Sequence, residues 1–298
     1  MPRIRIVVTG RNGQVVRSLI ERAAWTDVDV ICIGRPALDL GNPDTIDGAL
    51  ASNAADVLVS AAAYTDVNRA EAEPDLADLI NGHAPGLLAA RANALGIPLI
   101  HLSTDYVFDG TKGDPYTEDD PICPINAYGR SKAAGERAVA EAHPRHVILR
   151  TSWIHSPFNR NFVRTMLDLA RKQDTVRVVA DQVGHPTAAS DIADGILAVA
   201  RNLVEGRGDD RYGTFHMAAA GSASWAEFAT AIFSASAQRG GPSARVVPIA
   251  SAEYQTPARR PANSRLDCVK IAGVYGVLLP HWQSSLGPCV GRILEQAT

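Results

Sequence analysis

Apolar runs alternate with amphipathic segments along the first half of this sequence. The runs are rich in β-branched residues and lack polar alternation, whereas the segments between them place apolar residues at helical spacing. Strands without alternation are buried on both faces, which is typical of a parallel sheet covered by helices on each side. The predicted strands are 4–8, 28–33, 57–61, 97–102 and 146–151, and the predicted helices are 15–24, 45–52, 74–95 and 127–142.

The alternation becomes looser after Arg150. We expect the second half to build a smaller lobe, part of which returns to the main sheet. Glycine, proline and polar residues accumulate over residues 240–263, which predicts an irregular region there. The further predicted elements are helices at 162–172, 190–203 and 224–236 and extended segments at 176–180 and 214–217.

Composition narrows the class of protein. The 298 residues are 46% hydrophobic and 20% charged, which is ordinary for a globular chain with a sizeable core. The net charge of −3 argues against nucleic-acid binding, and the absence of long apolar runs argues against a membrane protein. The first residues do not resemble a signal peptide, so we expect a cytoplasmic protein. Four scattered cysteines show neither metal nor redox spacing, which predicts reduced thiols and no metal site.

A glycine-punctuated turn joins the first predicted strand to the first predicted helix. Glycines in such a turn let the backbone approach a pyrophosphate, and the following helix N-terminus attracts the anion. This context predicts a Rossmann-type doubly wound sheet that binds NAD(P), although a plain tight turn would use the same residues. We therefore expect an NAD(P)-binding domain over residues 1–150, to which about 190–217 returns, and an interleaved substrate-binding lobe over 151–298. The candidate contacts in the turn are Gly10, Arg11, Asn12, Gly13, Gln14 and Val15.

The turn departs from the usual fingerprint at its third glycine position, which Val16 occupies. Glycine at that position normally permits close packing of the helix against the strand. Valine should therefore push the helix outward or force the neighbouring side chains to repack. This departure bears on cofactor affinity more than on cofactor identity.

The ends of the second and third predicted strands add cofactor candidates. Arg35 follows the second strand, where an arginine suits a 2′-phosphate and an acidic residue suits a ribose hydroxyl. Arg35 therefore favours NADPH, with NADH as the alternative, unless it is only a solvated surface residue. Small residues after the third strand could lie flat against a dinucleotide or could simply allow tight packing. The remaining candidates are Asp39, Leu40, Ala61, Ala62, Ala63, Tyr64 and Thr65.

A tyrosine and a lysine spaced four residues apart are the main catalytic candidates. Tyr128 and Lys132 share one face of the predicted helix 127–142, so the ammonium can lower the pKa of the phenol and prepare a general acid. Ser103 and Thr104 close the fourth strand, where ligands bind in open α/β sheets. A hydroxyl there can hydrogen-bond a substrate carbonyl, although such hydroxyls more commonly serve caps or turns.

These motifs resemble those of the extended short-chain dehydrogenase/reductases. Longer sequence motifs narrow the resemblance to the dTDP-4-dehydrorhamnose reductase family, and the resemblance extends from residue 4 to about residue 270. The motifs that carry it include residues 61–67, 79–81, 103–110, 124–129, 150–154, 181–187 and 260–267.

The resemblance implies NADPH- or NADH-dependent reduction of the C4 ketone of dTDP-4-dehydro-L-rhamnose to dTDP-L-rhamnose. Tyr128 is then the proton donor, Lys132 supports it and holds the nicotinamide ribose, and Thr104 binds the sugar carbonyl. Asp105 and Trp153 join Thr104 and Tyr128 at the dTDP-sugar, although Trp153 could also be a core residue. Further polar residues could reach the ligands or serve only structure, namely Asn161, Gln182, Arg260 and Arg265.

The resemblance also bears on assembly and leaves two other functions open. Some family members dimerise around magnesium held by a glutamate at the position of Ser18, so we predict no magnesium site and expect a monomer or a homodimer. One alternative is a 4-ketoreductase for another dTDP-deoxysugar. The other is a non-catalytic regulatory relative, which Val16 keeps open and the catalytic candidates argue against.

Overall fold

A parallel sheet of six strands forms the centre of the computed structural model, which describes residues 3–51, 53–206, 208 and 210–296. Its order is β10-β5-β4-β3-β1-β2, and every neighbouring pair is parallel. This doubly wound arrangement confirms the predicted fold class. The strands are β1 (Ile4–Thr9), β2 (Val28–Ile33), β3 (Val57–Ser60), β4 (Leu99–Thr104), β5 (His146–Thr151), β6 (Ile154–His155), β7 (Thr175–Val179), β8 (Val183–Gly184), β9 (Thr187–Ala188), β10 (Gly213–His216), β11 (Ala223–Ser224) and β12 (Arg245–Ile249).

Helices cover both faces of this sheet. They are α1 (Gln14–Ala23), α2 (Thr45–Ala51), α3 (Val67–Ala72), α4 (Pro74–Asp78), α5 (Ala84–Ala94), α6 (Ala127–Ala142), α7 (Phe162–Ala170), α8 (Ala189–Glu205), α9 (Trp225–Ala237), α10 (Val269–Tyr275) and α11 (Trp282–Glu295). A π-helical turn at Leu79–His83 and 3-10 turns at Asp105–Val107 and Ser251–Glu253 complete the helical elements. The predicted end of the second helix, Ser52, lies outside the described residues. No helix within the described ranges is long and apolar enough to cross a membrane.

Successive residues of β1 show why its apolar run lacks alternation. Ile6 and Val8 pack into the hydrophobic cluster shared with α1 and α8, whereas Val7 packs into the cluster shared with α2 and α5. All three are buried. Because both faces of the strand are covered, a polar residue would be unfavourable at each position.

The second half of the chain supplies both a sheet strand and a separate cluster. β10 extends the main sheet, with Phe215 opposite Leu149 of β5, and α8 packs against α1. A second hydrophobic cluster gathers α7, α9 and α11 around Phe228 and Val290.

Two sequence-based expectations for this half were incomplete. The region 240–263 is not irregular throughout, because Arg245–Ile249 forms β12 and pairs in parallel with β7. Pro248, which cannot donate a ladder hydrogen bond, masked this short strand. Helix α11 was not predicted, although Leu286, Val290 and Ile293 recur at helical spacing and are buried.

Candidate active site

Two adjoining cavities open along the carboxyl edge of the parallel sheet. The larger has a volume of 570 Å³ and the smaller a volume of 340 Å³, and Gly10, Ala62 and Ala63 line both. The larger cavity is further lined by the predicted residues Gly13, Gln14, Val15, Ala61, Thr65, Thr104, Asp105, Tyr128, Lys132 and Trp153. The smaller is further lined by Arg11, Asn12, Arg35, Asp39, Leu40 and Tyr64. Every residue predicted to contact cofactor or substrate therefore lines one of the two cavities, while its role stays a prediction.

The glycine turn between β1 and α1 has the geometry of an anion site. Gly10 has a φ of +98°, a conformation that favours glycine, and its N–H donates to the Ile33 carbonyl at 2.7 Å. Gly13 precedes α1, and no side chain in the described part of the chain caps the N-terminus of this helix. The helix end therefore presents backbone N–H groups and a partial positive charge, which suit a diphosphate.

The chain beyond β6 holds the glycine turn in place. The Gln14 side-chain oxygen accepts hydrogen bonds from the Ser156 hydroxyl at 2.7 Å and from the Asn161 amide at 3.0 Å. The Asn159 amide donates to the Asn12 carbonyl. Asn161, which the sequence left open between ligand binding and structure, also caps α7. These contacts tie the turn to the second half of the chain.

Val16 is accommodated by repacking of the core around its side chain. It is 2% exposed and belongs to the cluster formed by α1, α8 and the sheet. Its Cγ2 lies 3.6 Å from the position that a Cβ at Gly10 would take. Of the two outcomes expected for a valine here, the structure favours repacking.

The smaller cavity brings two arginines together. Arg11 and Arg35 both line it, and Arg35 is 78% exposed, with its Nε 3.8 Å from a carboxylate oxygen of Asp39. An ion pair this long and exposed contributes little stability, so the guanidinium is free to reorient. Two guanidinium groups in one cavity fit a phosphate ester, as the 2′-phosphate of NADPH requires.

Helix α6 brings the catalytic candidates into the larger cavity. The Asn126 side chain caps the helix by accepting from the Gly129 N–H at 2.7 Å. One turn later Lys132 is 3% exposed, and its ammonium donates to the Leu102 carbonyl at 2.7 Å. Tyr128 and Thr104 line the same cavity as Lys132, so the three groups can act on one ligand.

The expected effect of Lys132 on Tyr128 is absent in this structure. Burial raises the pKa of Tyr128 to about 12, and a hydrogen bond with the Thr104 side chain opposes this rise only in part. Burial also lowers the pKa of Lys132 to about 8. Lys132 is not among the groups that shift the pKa of Tyr128, so the lowering expected from its charge is not found here; one of its N–H groups instead donates to the Leu102 carbonyl on β4. The high pKa nevertheless keeps the phenol protonated, which is the form of a proton donor.

Two glycines let α6 approach the neighbouring backbone closely. A Cβ at Gly129 would lie 2.2 Å from the Tyr106 carbonyl oxygen, and one at Gly135 would lie 2.0 Å from the Asn81 carbonyl oxygen. Asn81 sits in the π-helical turn, and its amide donates to the Ser131 hydroxyl at 3.1 Å. Sequence reasoning missed these positioning contacts, although glycines inside a predicted helix were a usable signal.

Two buried side-chain oxygens line the larger cavity, one in the 3-10 turn after β4 and one at the end of β5. Thr104 donates to one carboxylate oxygen of Asp105 at 2.9 Å, while the other has no hydrogen-bond partner among the described residues. The Thr151 hydroxyl is likewise without a partner in that part of the chain, and both residues line the larger cavity. Burial raises the pKa of Asp105 to about 6. Buried polar atoms of this kind are normally satisfied, so these suit a polar ligand such as a sugar.

An aromatic stack forms another wall of the larger cavity. Trp153 lies parallel to Trp225, with ring centroids 3.4 Å apart and planes 5° apart. Phe162 packs against Trp225 at 4.5 Å. Trp153 adopts a φ of +46°, which is strained for a tryptophan. Sequence reasoning found Trp153 but not Trp225, which is distant along the chain.

Three of the residues left open by the sequence make contacts within the protein. Gln182 donates to the Ser251 hydroxyl at 2.8 Å, and Arg260 donates to the Thr256 hydroxyl at 2.5 Å. Arg265 donates to the Asn263 side chain at 2.9 Å. None of the three lines either cavity, so the structure assigns them no ligand contact.

Known proteins share both this sequence and this fold. The profile of the family described as the RmlD substrate binding domain matches residues 4–294. A protein from Sinorhizobium fredii named dTDP-4-dehydrorhamnose reductase is 47% identical over 98% of each chain. The chain belongs to the dTDP-4-dehydrorhamnose reductase family. The family assigned from the sequence motifs is thereby confirmed, and the match extends beyond residue 270 into α11.

Two further members and relatives of the dTDP-4-dehydrorhamnose reductase family bear on cofactor and substrate. A dTDP-4-dehydrorhamnose reductase from Bacillus anthracis, solved in complex with NADP, has a TM-score of 0.88 at 33% identity, over 96% of this chain and 98% of that chain. A protein from Streptomyces antibioticus named a probable dTDP-4,6-dihydroxy-2-methyloxan-3-one 4-ketoreductase is 39% identical, over 98% of this chain and 96% of that protein.

Proposed function

We propose that this protein uses NADPH to reduce the C4 ketone of dTDP-4-dehydro-L-rhamnose to dTDP-L-rhamnose. The observation that carries the proposal is the meeting of Thr104, Tyr128 and Lys132 in one cavity that adjoins the arginine-lined cavity. Family membership supports the substrate class, and the NADP complex of the Bacillus anthracis relative supports the cofactor. NADH is the alternative cofactor.

The chain's own residues have separate roles in this reaction. The cofactor, when bound, supplies a hydride to C4. Tyr128 donates a proton to the oxygen at C4 as negative charge develops there, and Thr104 hydrogen-bonds the same oxygen. Lys132 stabilises that charge and holds the nicotinamide ribose. Stabilisation of charge that grows in the transition state is what accelerates the chemical step.

The two halves of the site then bind different ligands. We assign the cofactor to residues 1–150 together with about 190–217, where the glycine turn, Arg11 and Arg35 lie. We assign the dTDP-sugar to the lobe of residues 151–298, with Trp153 against the sugar and Asp105 contributing from the 3-10 turn after β4. The two ligands would meet in the larger cavity, which both Gln14 and Trp153 line, and the arginine-contacting end of the cofactor would occupy the smaller cavity.

The test measures the oxidation of NADPH in the presence of dTDP-4-dehydrorhamnose. The loss of absorbance of the reduced nicotinamide gives the rate. Tyr128→Phe should lower kcat by about 100- to 10,000-fold, the usual contribution of a general acid, while NADPH binding is retained. Tyr116→Phe is the matched control, because Tyr116 donates to Asp109 at 2.6 Å and lines neither cavity. A Tyr128→Phe variant that keeps more than about a tenth of the wild-type rate contradicts the assignment.

A second candidate function is reduction of another dTDP-deoxysugar at C4. The similarity to the Streptomyces antibioticus protein favours it specifically. A panel of 4-keto dTDP-sugars, compared by kcat/KM, decides between the two substrates. A wild-type protein that binds NADPH but reduces no member of the panel would instead support a non-catalytic regulatory role.

A further inference from the structure

A buried histidine lies directly beneath the catalytic lysine. His101 is on β4 and is 1% exposed, and its Nε2 lies 3.3 Å from the Lys132 Nζ. Its Nδ1 lies 3.0 Å from the hydroxyl oxygen of Ser60, which is the register partner of His101 on β3. Ser60 is also buried. The three side chains therefore form a line from β3 to α6.

The chemistry of the lysine decides how the histidine is protonated. An ammonium has three N–H donors and no acceptor, so a favourable contact requires a lone pair on Nε2 of His101. The ring proton must then be on Nδ1, from which it is donated to Ser60. Burial keeps the pKa of His101 well below its usual value, so the ring is neutral and can present that lone pair.

The acceptors around Lys132 restrain two of its three N–H groups. One donates to the Leu102 carbonyl and one to His101, which leaves the third for the cavity. The charged group that favours the ammonium is Glu136 on the same helix, but it is paired with Arg150 of β5 at 2.7 Å. Two other titratable groups lie nearby. Tyr128 faces the same cavity from α6, and the charge of His146 on β5 contributes to lowering the pKa of His101. A neutral acceptor in direct contact is thus supplied by His101.

We propose that His101, held in one tautomer by Ser60, is a positioning residue that keeps Lys132 charged and aimed at the reacting groups. The proposal rests on the proposed function for the role of Lys132, but its test does not. Because a hydrogen bond to a charged form favours that form, loss of the acceptor should make the ammonium easier to deprotonate.

The direct test is a pH titration of lysine side chains by NMR. The chain has four lysines, so labelling with [ε-¹³C]lysine gives few signals, and Lys132→Arg identifies the one of interest. His101→Leu should lower the titration midpoint of Lys132 by about one pH unit or more, since a hydrogen bond to a charged group is lost. His101→Gln, whose amide oxygen reaches a similar position, should restore most of the midpoint.

Further variants separate positioning from general damage to the fold. Ser60→Ala removes only the tautomer partner, so it should lower the midpoint less than His101→Leu, and it keeps the proposal testable if His101→Leu fails to fold. His143→Leu is the control, because His143 is equally buried but its Nε2 donates to the Ile97 carbonyl, away from Lys132. This control should leave the Lys132 midpoint unchanged.

Kinetics give an independent readout. In His101→Leu the alkaline limb of the kcat profile should move to lower pH together with the NMR midpoint, with KM for the sugar nearly unchanged. An unchanged Lys132 midpoint in both His101→Leu and Ser60→Ala, or a His101→Gln midpoint as low as that of His101→Leu, would overturn the proposal. A wild-type protein without turnover would count against the proposed function alone, because the lysine titration needs no substrate.

Discussion

His155 offers a sharp test of how burial controls the stability of this fold. It is fully buried on β6, and neither ring nitrogen has a hydrogen-bond partner among the described residues. Its ring packs 5.3 Å from that of Phe228. Burial lowers the pKa of His155 to about 4, and the nearby Trp153 backbone offsets this only in part.

The sign and size of the pH effect follow from that value. Between the unfolded pKa of 6.5 and the folded pKa of about 4, the unfolded chain binds a proton at His155 that the folded chain does not. The contribution of neutral His155 to the free energy of unfolding is therefore fully present above pH 6.5. It falls as the pH falls through this window and is lost below about pH 4. At pH 5 the loss from this one group is about 2 kcal/mol.

The perturbation is His155→Leu, which removes the titrating ring and keeps an apolar side chain in an apolar cluster. Urea unfolding at about pH 7.5 and about pH 5 gives the loss of stability on acidification for wild type and variant. The variant should lose about 2 kcal/mol less than wild type, because other buried histidines titrate equally in both proteins. His83→Leu, at an exposed position, is the control and should behave as wild type. If His155→Leu loses as much stability as wild type, the reasoning is refuted.

Three further predictions concern the cofactor turn and the catalytic helix. Arg35→Ala should weaken NADPH at least about tenfold more than NADH, because it loses a charge-assisted contact; equal effects in fluorescence titrations would make Arg35 a surface charge. Val16→Gly should lower stability by about 2–4 kcal/mol, because it removes a buried side chain and places glycine in a helix, and cofactor binding should weaken. Tighter binding in that variant would contradict the repacked core. Gly129→Ala should lower kcat at least about tenfold, since its Cβ would lie 2.2 Å from the Tyr106 carbonyl, whereas Gly273→Ala, with open space around it, should not.

The grouping of the residues that we assign to the cofactor could be predicted from the sequence, because these residues follow strand ends in chain order. Strands buried on both faces leave uninterrupted apolar runs, so the predicted boundaries 28–33 and 146–151 match β2 and β5. The carboxyl ends of parallel strands meet at one edge. Motifs that directly follow those runs, such as the turn at Gly10, were therefore placed together without knowledge of the tertiary structure.

The other half depends on contacts between distant segments, which local pattern does not encode. Trp225 reaches the site because α9 packs against α7 and α11, and the sequence offers no link between Trp225 and Trp153. The direction of the Lys132 ammonium is a similar case. Helical spacing places it near Tyr128, but tertiary acceptors on β4 decide where it points.

A buried ion pair beneath the catalytic groups shows how that tertiary geometry is held. Arg150 of β5 and Glu136 of α6 are 3% and 4% exposed, and their closest atoms are 2.7 Å apart. Ser103, the neighbour of Thr104 on β4, donates to Glu136 at 2.5 Å. A buried pair contributes little net stability compared with apolar residues of similar size, so stability does not explain its presence. Its directional hydrogen bonds join α6, β4 and β5 one helical turn beyond Lys132. They thereby fix the rotation of α6 relative to the strand that carries Thr104, which sets the geometry between Tyr128 and Thr104.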